Sequence, residues 1–230
     1  MSLRYAIYWV PSAEHALWRA GCTWLGRDPT EPVTAPAPAL RGAPWRYGFH
    51  ATLKAPMRLK PGVSQVQFCE ALAVFTAKQP RFAMPGLQLA WLNHFLALRP
   101  AQTLDRAHPL WRLADACVQD MDVWRATPNA NEQLRFQNDT YTAAEQRAAL
   151  QYGYAYVLEQ WRFHMTLSDS LGARQQVQRQ TIEQRARSHF TQALAEPLHC
   201  TELALFVESQ PLAPLRLVQR FLLRGALLRV

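Results

Sequence analysis

The chain opens on an apolar run, Leu3-Arg4-Tyr5-Ala6-Ile7-Tyr8-Trp9-Val10, stopped by Pro11, which predicts a strand over residues 3–10. Ser12 suits an N-cap, and residues 13–25 read as a helix. Prolines at 29, 32, 36, 38 and 44 predict an extended, polyproline-like loop over 28–44. A strand over 47–55, closed by Pro56, follows. Val63, Val66, Cys69, Leu72, Ala73 and Phe75 set a helical pattern over 63–78. Strands at 86–91 and 94–99 meet at Asn93-His94 as a hairpin. Pro109 in a first turn, with Leu110, Leu113, Ala114 and Cys117 on one face, predicts a helix over 108–121.

The pattern is least regular over 125–160, where helices at 129–137 and 142–151 precede the aromatic segment Tyr152-Gly153-Tyr154-Ala155-Tyr156-Val157. A strand at 160–167, a long polar helix at 174–195, and strands at 199–208 and 215–224 complete the order. Strands and helices mix without regular alternation, which argues for an α+β fold over a doubly wound parallel sheet.

Composition narrows the class. Of 230 residues, 49% are apolar and 18% charged, which excludes a disordered chain. No apolar run reaches the roughly 18–20 residues of a membrane helix, and the N-terminus reads as a strand rather than a signal peptide. The formal charge of +8 suggests an anionic partner. Only Lys54, Lys60 and Lys78 are lysines, and the arginines are scattered, which disfavours a nucleic-acid stripe. Cys22, Cys69, Cys117 and Cys200 form no Cys-x-x-Cys pair, so they read as reduced thiols in a cytoplasmic protein.

Two segments repeat one pattern: Tyr47-Gly48-Phe49-His50-Ala51-Thr52-Leu53 and Trp161-Arg162-Phe163-His164-Met165-Thr166-Leu167. Random placement of the chain's residues would give roughly 0.05 His-x-Thr-Leu quartets, so two of them, each preceded by Phe, exceed chance. The histidines stand 114 residues apart, about half the chain, as a duplication would place them. A third triplet, His189-Phe190-Thr191, lies in the predicted polar helix, where residues two apart diverge; it reads as surface.

On a strand, Phe49, Ala51 and Leu53 would enter the core while His50, Thr52 and Lys54 face a cleft. Likewise Phe163, Met165 and Leu167 would oppose Arg162, His164, Thr166 and Ser168. Two imidazoles can take and give a proton near neutral pH, and two hydroxyls can donate to phosphoryl oxygens. Such a set suits in-line cleavage of a phosphoester without a metal. A zinc site would need a third ligand, and His94 and His108 have no regular spacing to the motifs. No cofactor is expected.

With these motifs the sequence resembles the 2H phosphoesterase superfamily, named for two His-x-Thr/Ser-hydrophobic motifs. Arg4-Tyr5-Ala6-Ile7-Tyr8, Trp24-Leu25-Gly26-Arg27-Asp28, the block from Arg46 to Pro56, and Tyr152-Gly153-Tyr154 look like the branch encoded beside bacterial phosphonate-utilisation (C–P lyase) genes. The resemblance implies a single bilobal α+β domain over 1–230, with two antiparallel sheets flanking a cleft and pseudo-two-fold halves. The halves would lie near 1–120 and 150–230, with a helical connector at 121–150. It implies a metal-independent phosphodiesterase for a small cyclic phosphate or phosphodiester of a sugar or nucleotide, in phosphonate breakdown. Alternatives are a 2′-5′ ligase or cyclic phosphodiesterase of RNA ends, and a non-catalytic phospho-ligand binder. His50 and His164 would be the acid/base pair, with Thr52 and Thr166 binding the phosphate. Lys54 and Arg162 share the strand faces by parity, and a bulge at Gly48 could turn Tyr47 toward His50. Arg125 sits where the branch has an Arg-Ala-Pro-like turn, here Arg125-Ala126-Thr127-Pro128, and has no assigned role.

Overall fold

A computed structural model describes residues 3–137 and 140–228; residues 1–2, 138–139 (inside the predicted connector) and 229–230 lie outside the described residues. Along the chain run β1 (Arg4–Trp9), α1 (Ala16–Leu25), α2 (Gly42–Tyr47), β2 (Ala51–Met57), α3 (Gln65–Lys78), β3 (Pro80–Ala83), β4 (Leu87–Leu92), β5 (Phe95–Pro100) and α4 (Pro109–Asp120). After them come α5 (Ala130–Phe136), α6 (Ala143–Tyr152), β6 (Met165–Thr166), α7 (Gln176–Ala195), β7 (His199–Cys200), β8 (Glu202–Glu208), β9 (Arg216–Leu222) and β10 (Gly225–Leu228). This is the mixed α+β arrangement the pattern predicts, with antiparallel sheets and flanking helices.

The first sheet has the order β2-β1-β8-β9, with antiparallel neighbours throughout. A second sheet, β4-β5-β6, is also antiparallel. A third, β10-β3-β7, carries a parallel β10–β3 pair. The first sheet joins strands from both ends of the chain, and the second joins the β4–β5 hairpin to residues 165–166. The sheets therefore do not divide at the sequence halves.

Most predicted elements lie within a few residues of those observed, and four departures have physical causes. The first helix is capped by His15, whose Nδ1 accepts from the Leu17 N–H at 2.9 Å, instead of by Ser12. The predicted loop over 28–44 ends in α2, which accepts Pro44 because first-turn amides have no helical partner. The predicted strand over 47–55 starts only at Ala51 and runs through Pro56. That proline is tolerated on an edge strand beside an irregularity in register. The predicted strand over 160–167 pairs only at Met165–Thr166, after a short 3-10 turn at Leu158–Gln160. Among the described residues no helix is long and apolar enough to cross a membrane.

Both motif strands anchor as alternation requires. Phe49, Ala51, Leu53, Phe163, Met165 and Leu167 are all buried in the core. Phe49 lies directly against α1, where a Cβ on Gly21 would fall 2.1 Å from its ring. Only glycine allows that approach.

Candidate functional site

The first motif is positioned by the end of α2. Gly48 leaves that helix with φ +81, and its N–H bonds the carbonyls of Pro44 and Trp45. Buried Arg27 donates to the carbonyls of Trp45 (2.6 Å), Arg46 (3.1 Å) and Leu215, so a cation meets the negative end of the helix. His50 follows, with Nδ1 2.8 Å from the Gly48 carbonyl. A carbonyl only accepts, so Nδ1 carries the proton and neutral Nε2 keeps its lone pair. Thr52 Oγ1 donates to that Nε2 at 3.1 Å. The ring stacks on Tyr8 with centroids 3.7 Å apart.

The second motif repeats this arrangement. His164 Nδ1 donates to the Arg162 carbonyl at 2.8 Å, again two residues back, which leaves Nε2 as the acceptor. Thr166 sits on β6 opposite Ala97.

Four hydrogen bonds tie the motifs and their flanking segments together. Trp161 Nε1 donates to the Thr52 carbonyl at 2.9 Å. Trp24 Nε1 donates to the Leu167 carbonyl at 2.8 Å. The Asp169 carboxylate accepts the Gly42 and Ala43 N–H groups at 3.0 and 2.7 Å, capping the helix that leads to His50. Burial pushes His50 down to about 4; the Gly48 carbonyl opposes this, and the positive charge of His164 adds to it. His164 is also lowered, by burial and then by Arg99, against its own carbonyl bond. Both imidazoles are thus neutral at pH 7.

A cavity of about 460 Å³ opens here, with Thr52, His164, Arg162, Tyr154, Tyr156 and Phe95 in its walls. His50 is not in these walls and lies behind Thr52, to which its Nε2 is bonded. Thr166 is half-buried and does not line this cavity. Arg162 does line it, although one guanidinium nitrogen is engaged by the Glu159 and Trp161 carbonyls. Tyr47 lies beside His50, with ring centroids 6.2 Å apart, and its hydroxyl accepts from Arg46 at 2.9 Å.

Lys54 is a correction to the parity argument. Between Thr52 and Lys54 the register with β1 slips by one residue, a bulge that breaks alternation and buries Leu53 and Lys54 together. Lys54 is 3% exposed and donates to Asp122 at 2.9 Å and to the Val118 carbonyl at 3.1 Å. Arg125 grips the same carboxylate through two nitrogens, at 2.8 and 2.9 Å, and donates to the Gln151 carbonyl at 2.6 Å. These contacts give Arg125 its role: it ties the end of α6 to the turn after α4. His108 caps α4 through its Nδ1, and His189 bonds the Ala20 carbonyl.

Sequence reasoning missed Tyr8, Tyr154, Arg27 and Glu208. Glu208 is buried and accepts from Arg4, from Arg46 and from the Leu212 N–H, which holds Arg46 against Tyr47. The Tyr152-Gly153-Tyr154 string was the one available signal for Tyr154; the others depend on pairings across the chain.

The two His-x-Thr-Leu motifs hold their histidines alike, each Nδ1 on the carbonyl two residues back. The family model described as "Protein of unknown function (DUF1045)" matches residues 52–216, and the chain belongs to that family. The chain is 35% identical over 224 residues to a protein of Janthinobacterium sp. (strain Marseille) named "Ribose 1,5-bisphosphate phosphokinase PhnN", covering 92% of this chain and 49% of that one. A protein of the same name from Laribacter hongkongensis (strain HLHK9) is 36% identical over 225 residues, covering 94% and 50%. The chain thus spans about half the length of the curated relatives it matches. Its sequence contains no Gly-x-x-x-x-Gly-Lys-Ser/Thr phosphate-binding loop. Among solved structures, E. coli LigT complexed with 3′-AMP aligns at 15% identity and a TM-score of 0.42, covering 97% of this chain and 99% of that one. A structure titled "Crystal structure of phosphoesterase" aligns at 16% identity and a TM-score of 0.40, covering 96% and 98%.

Proposed function

We propose that this protein is a metal-independent phosphodiesterase that opens a small cyclic phosphate or phosphodiester of a sugar or nucleotide. The matched pair of histidines carries the reading: each donates Nδ1–H to the carbonyl two residues back and keeps an Nε2 lone pair. Binding alone needs no second imidazole. A phosphoryl oxygen entering the cleft takes the Thr52 hydroxyl as donor and frees His50 Nε2, which Thr52 occupies in the empty site. One imidazole removes the proton from water as it attacks phosphorus; the other, protonated beside the anion, gives its proton to the leaving oxygen. Arg162, in the cavity wall, adds a phosphate contact, whereas Thr166 lies on β6 outside that wall. Both rings are held alike, and the near-symmetric geometry lets either serve as base with the other as acid. The relatives' printed name concerns a ribose bisphosphate, which supports a phosphorylated ribose as the sugar and phosphonate breakdown as the setting. Free thiols at all four cysteines accord with a cytoplasmic site of action.

The test uses 2′,3′-cyclic nucleotides as probe substrates. His50→Ala and His164→Ala should each lower kcat by roughly 10²–10⁴-fold while circular dichroism stays native, and EDTA should leave the wild-type rate unchanged. A wild-type rate in either mutant sinks the two-histidine mechanism, and inhibition by chelator replaces it with a metal.

A further inference from the structure

A second cavity, of about 680 Å³, adjoins the first, and Trp161 and Arg162 line both. The sheet register explains how they meet. Gln88 pairs with Arg99, Ala90 with Ala97, and Ala97 with Thr166, and residues directly opposed share a face. Extending the β5–β6 register by two residues sets His164 across from Arg99. Arg99 lines the second cavity and His164 the first, and Arg99 lies close enough for its charge to oppose protonation of His164.

The second cavity carries three arginines, and part of its donor set is unspent. Arg99, Arg106 and Arg162 line it together with Gln88 and Trp111. Arg106 lies on the Trp111 ring and pairs with Asp115 at 3.1 Å and Glu159 at 3.7 Å, the two acids bordering this wall. Arg99 has no such partner among the described residues, and its buried Nε and the Trp111 Nε1 bond nothing there. Buried donors left unpaired are destabilising, so a site that keeps them has a use for them.

We infer that this cavity receives a second phosphate of the same substrate, so that the molecule cleaved is a small cyclic phosphodiester that also bears a phosphomonoester. This rests on the phosphodiesterase reading above and names the substrate class for that cleft. Cross-strand neighbours stand about 5 Å apart, so one sugar spans the two anion positions. Arg99 is the anchor, and Arg162, between the cavities, reaches either phosphate.

The experiment compares 2′,3′-cyclic nucleotides with and without a 5′-phosphate, in wild type and in Arg99→Gln. The wild-type kcat/KM should favour the 5′-phosphorylated probe by roughly ten- to a hundredfold, the worth of a hydrogen bond to a charged group. In Arg99→Gln that ratio should collapse toward one. A wild-type ratio near one overturns the inference, as does a variant that slows both probes equally and keeps the ratio. If neither probe is turned over, the phosphodiesterase reading fails for this class, and calorimetric binding of the two probes still decides the second site. Tighter binding of the 5′-phosphorylated probe, lost in Arg99→Gln, supports it; equal binding overturns it. If Arg99→Gln does not fold, Arg99→Met takes its place and is read the same way: a ratio that stays at the wild-type value overturns the inference.

Discussion

Replacing Asp122 by alanine should destabilise the protein far more than a surface substitution does. The Lys54 ammonium is 3% exposed, and without Asp122 it keeps only the Val118 carbonyl. Arg125 loses both of its carboxylate bonds and keeps the Gln151 carbonyl. Removing one partner of a buried ion pair costs about 3–5 kcal/mol, because a desolvated charge is left behind. For a chain of this size that is a fall in Tm of roughly 6–20 °C. The assay is urea unfolding at pH 7 followed by tryptophan fluorescence, with Trp124 in the turn beside Asp122 as a local probe. Lys54→Met should cost much less, since Asp122 keeps Arg125. Combining Lys54→Met with Asp122→Asn should recover most of the loss, because no unpaired charge stays buried. A cost below about 1 kcal/mol for Asp122→Ala would refute the reasoning. So would a Lys54→Met variant that folds normally but loses catalysis, since Lys54 would then act on the phosphate after all.

Two further outcomes follow from the same structure. Both imidazoles are held below 6.5, His50 at about 4, so the unfolded chain binds protons that the folded chain does not. Stability should therefore fall as pH drops from about 6.5 to about 4, by up to about 3 kcal/mol from His50; thermal melts of wild type and His50→Gln across this window would show the slope flatten in the variant, and equal slopes would contradict it. Gly21→Ala places a methyl 2.1 Å from the Phe49 ring, so it should cost about 1–3 kcal/mol by overpacking and slow turnover by shifting the first motif; an unchanged Tm and rate would show that Phe49 can yield.

The core face of each motif was legible because alternation reports burial directly, and all six predicted apolar anchors are buried. The helices over 63–78 and 108–121 were legible through apolar spacing and Pro109, and in the structure they start at caps on Ser64 and His108 that the spacing alone did not name. What escaped depends on partners distant in sequence. β3 and β10 are short and pattern-poor; β10 pairs with β3, which β7 holds on its other side. The place of Lys54 turns on a bulge against β1, which no local pattern marks. No local pattern marks Arg27 or Glu208: Arg27 is held by the carbonyls of Trp45 and Leu215, and Glu208 by the guanidiniums of Arg4 and Arg46. Strand parity carried His50 and Thr52 correctly into one arrangement, and failed two residues further on, at Lys54.

The central claim is that one phosphoryl group sits between the two imidazoles. ¹⁵N NMR of the histidine side chains during titration with inorganic phosphate tests it most directly. The account predicts that, in the free protein, His50 and His164 each show a protonated Nδ1 and an unprotonated Nε2. Both Nε2 resonances should then shift with a single shared Kd as phosphate is added. Movement of only one of the pair, or the opposite tautomer at either ring, would contradict it.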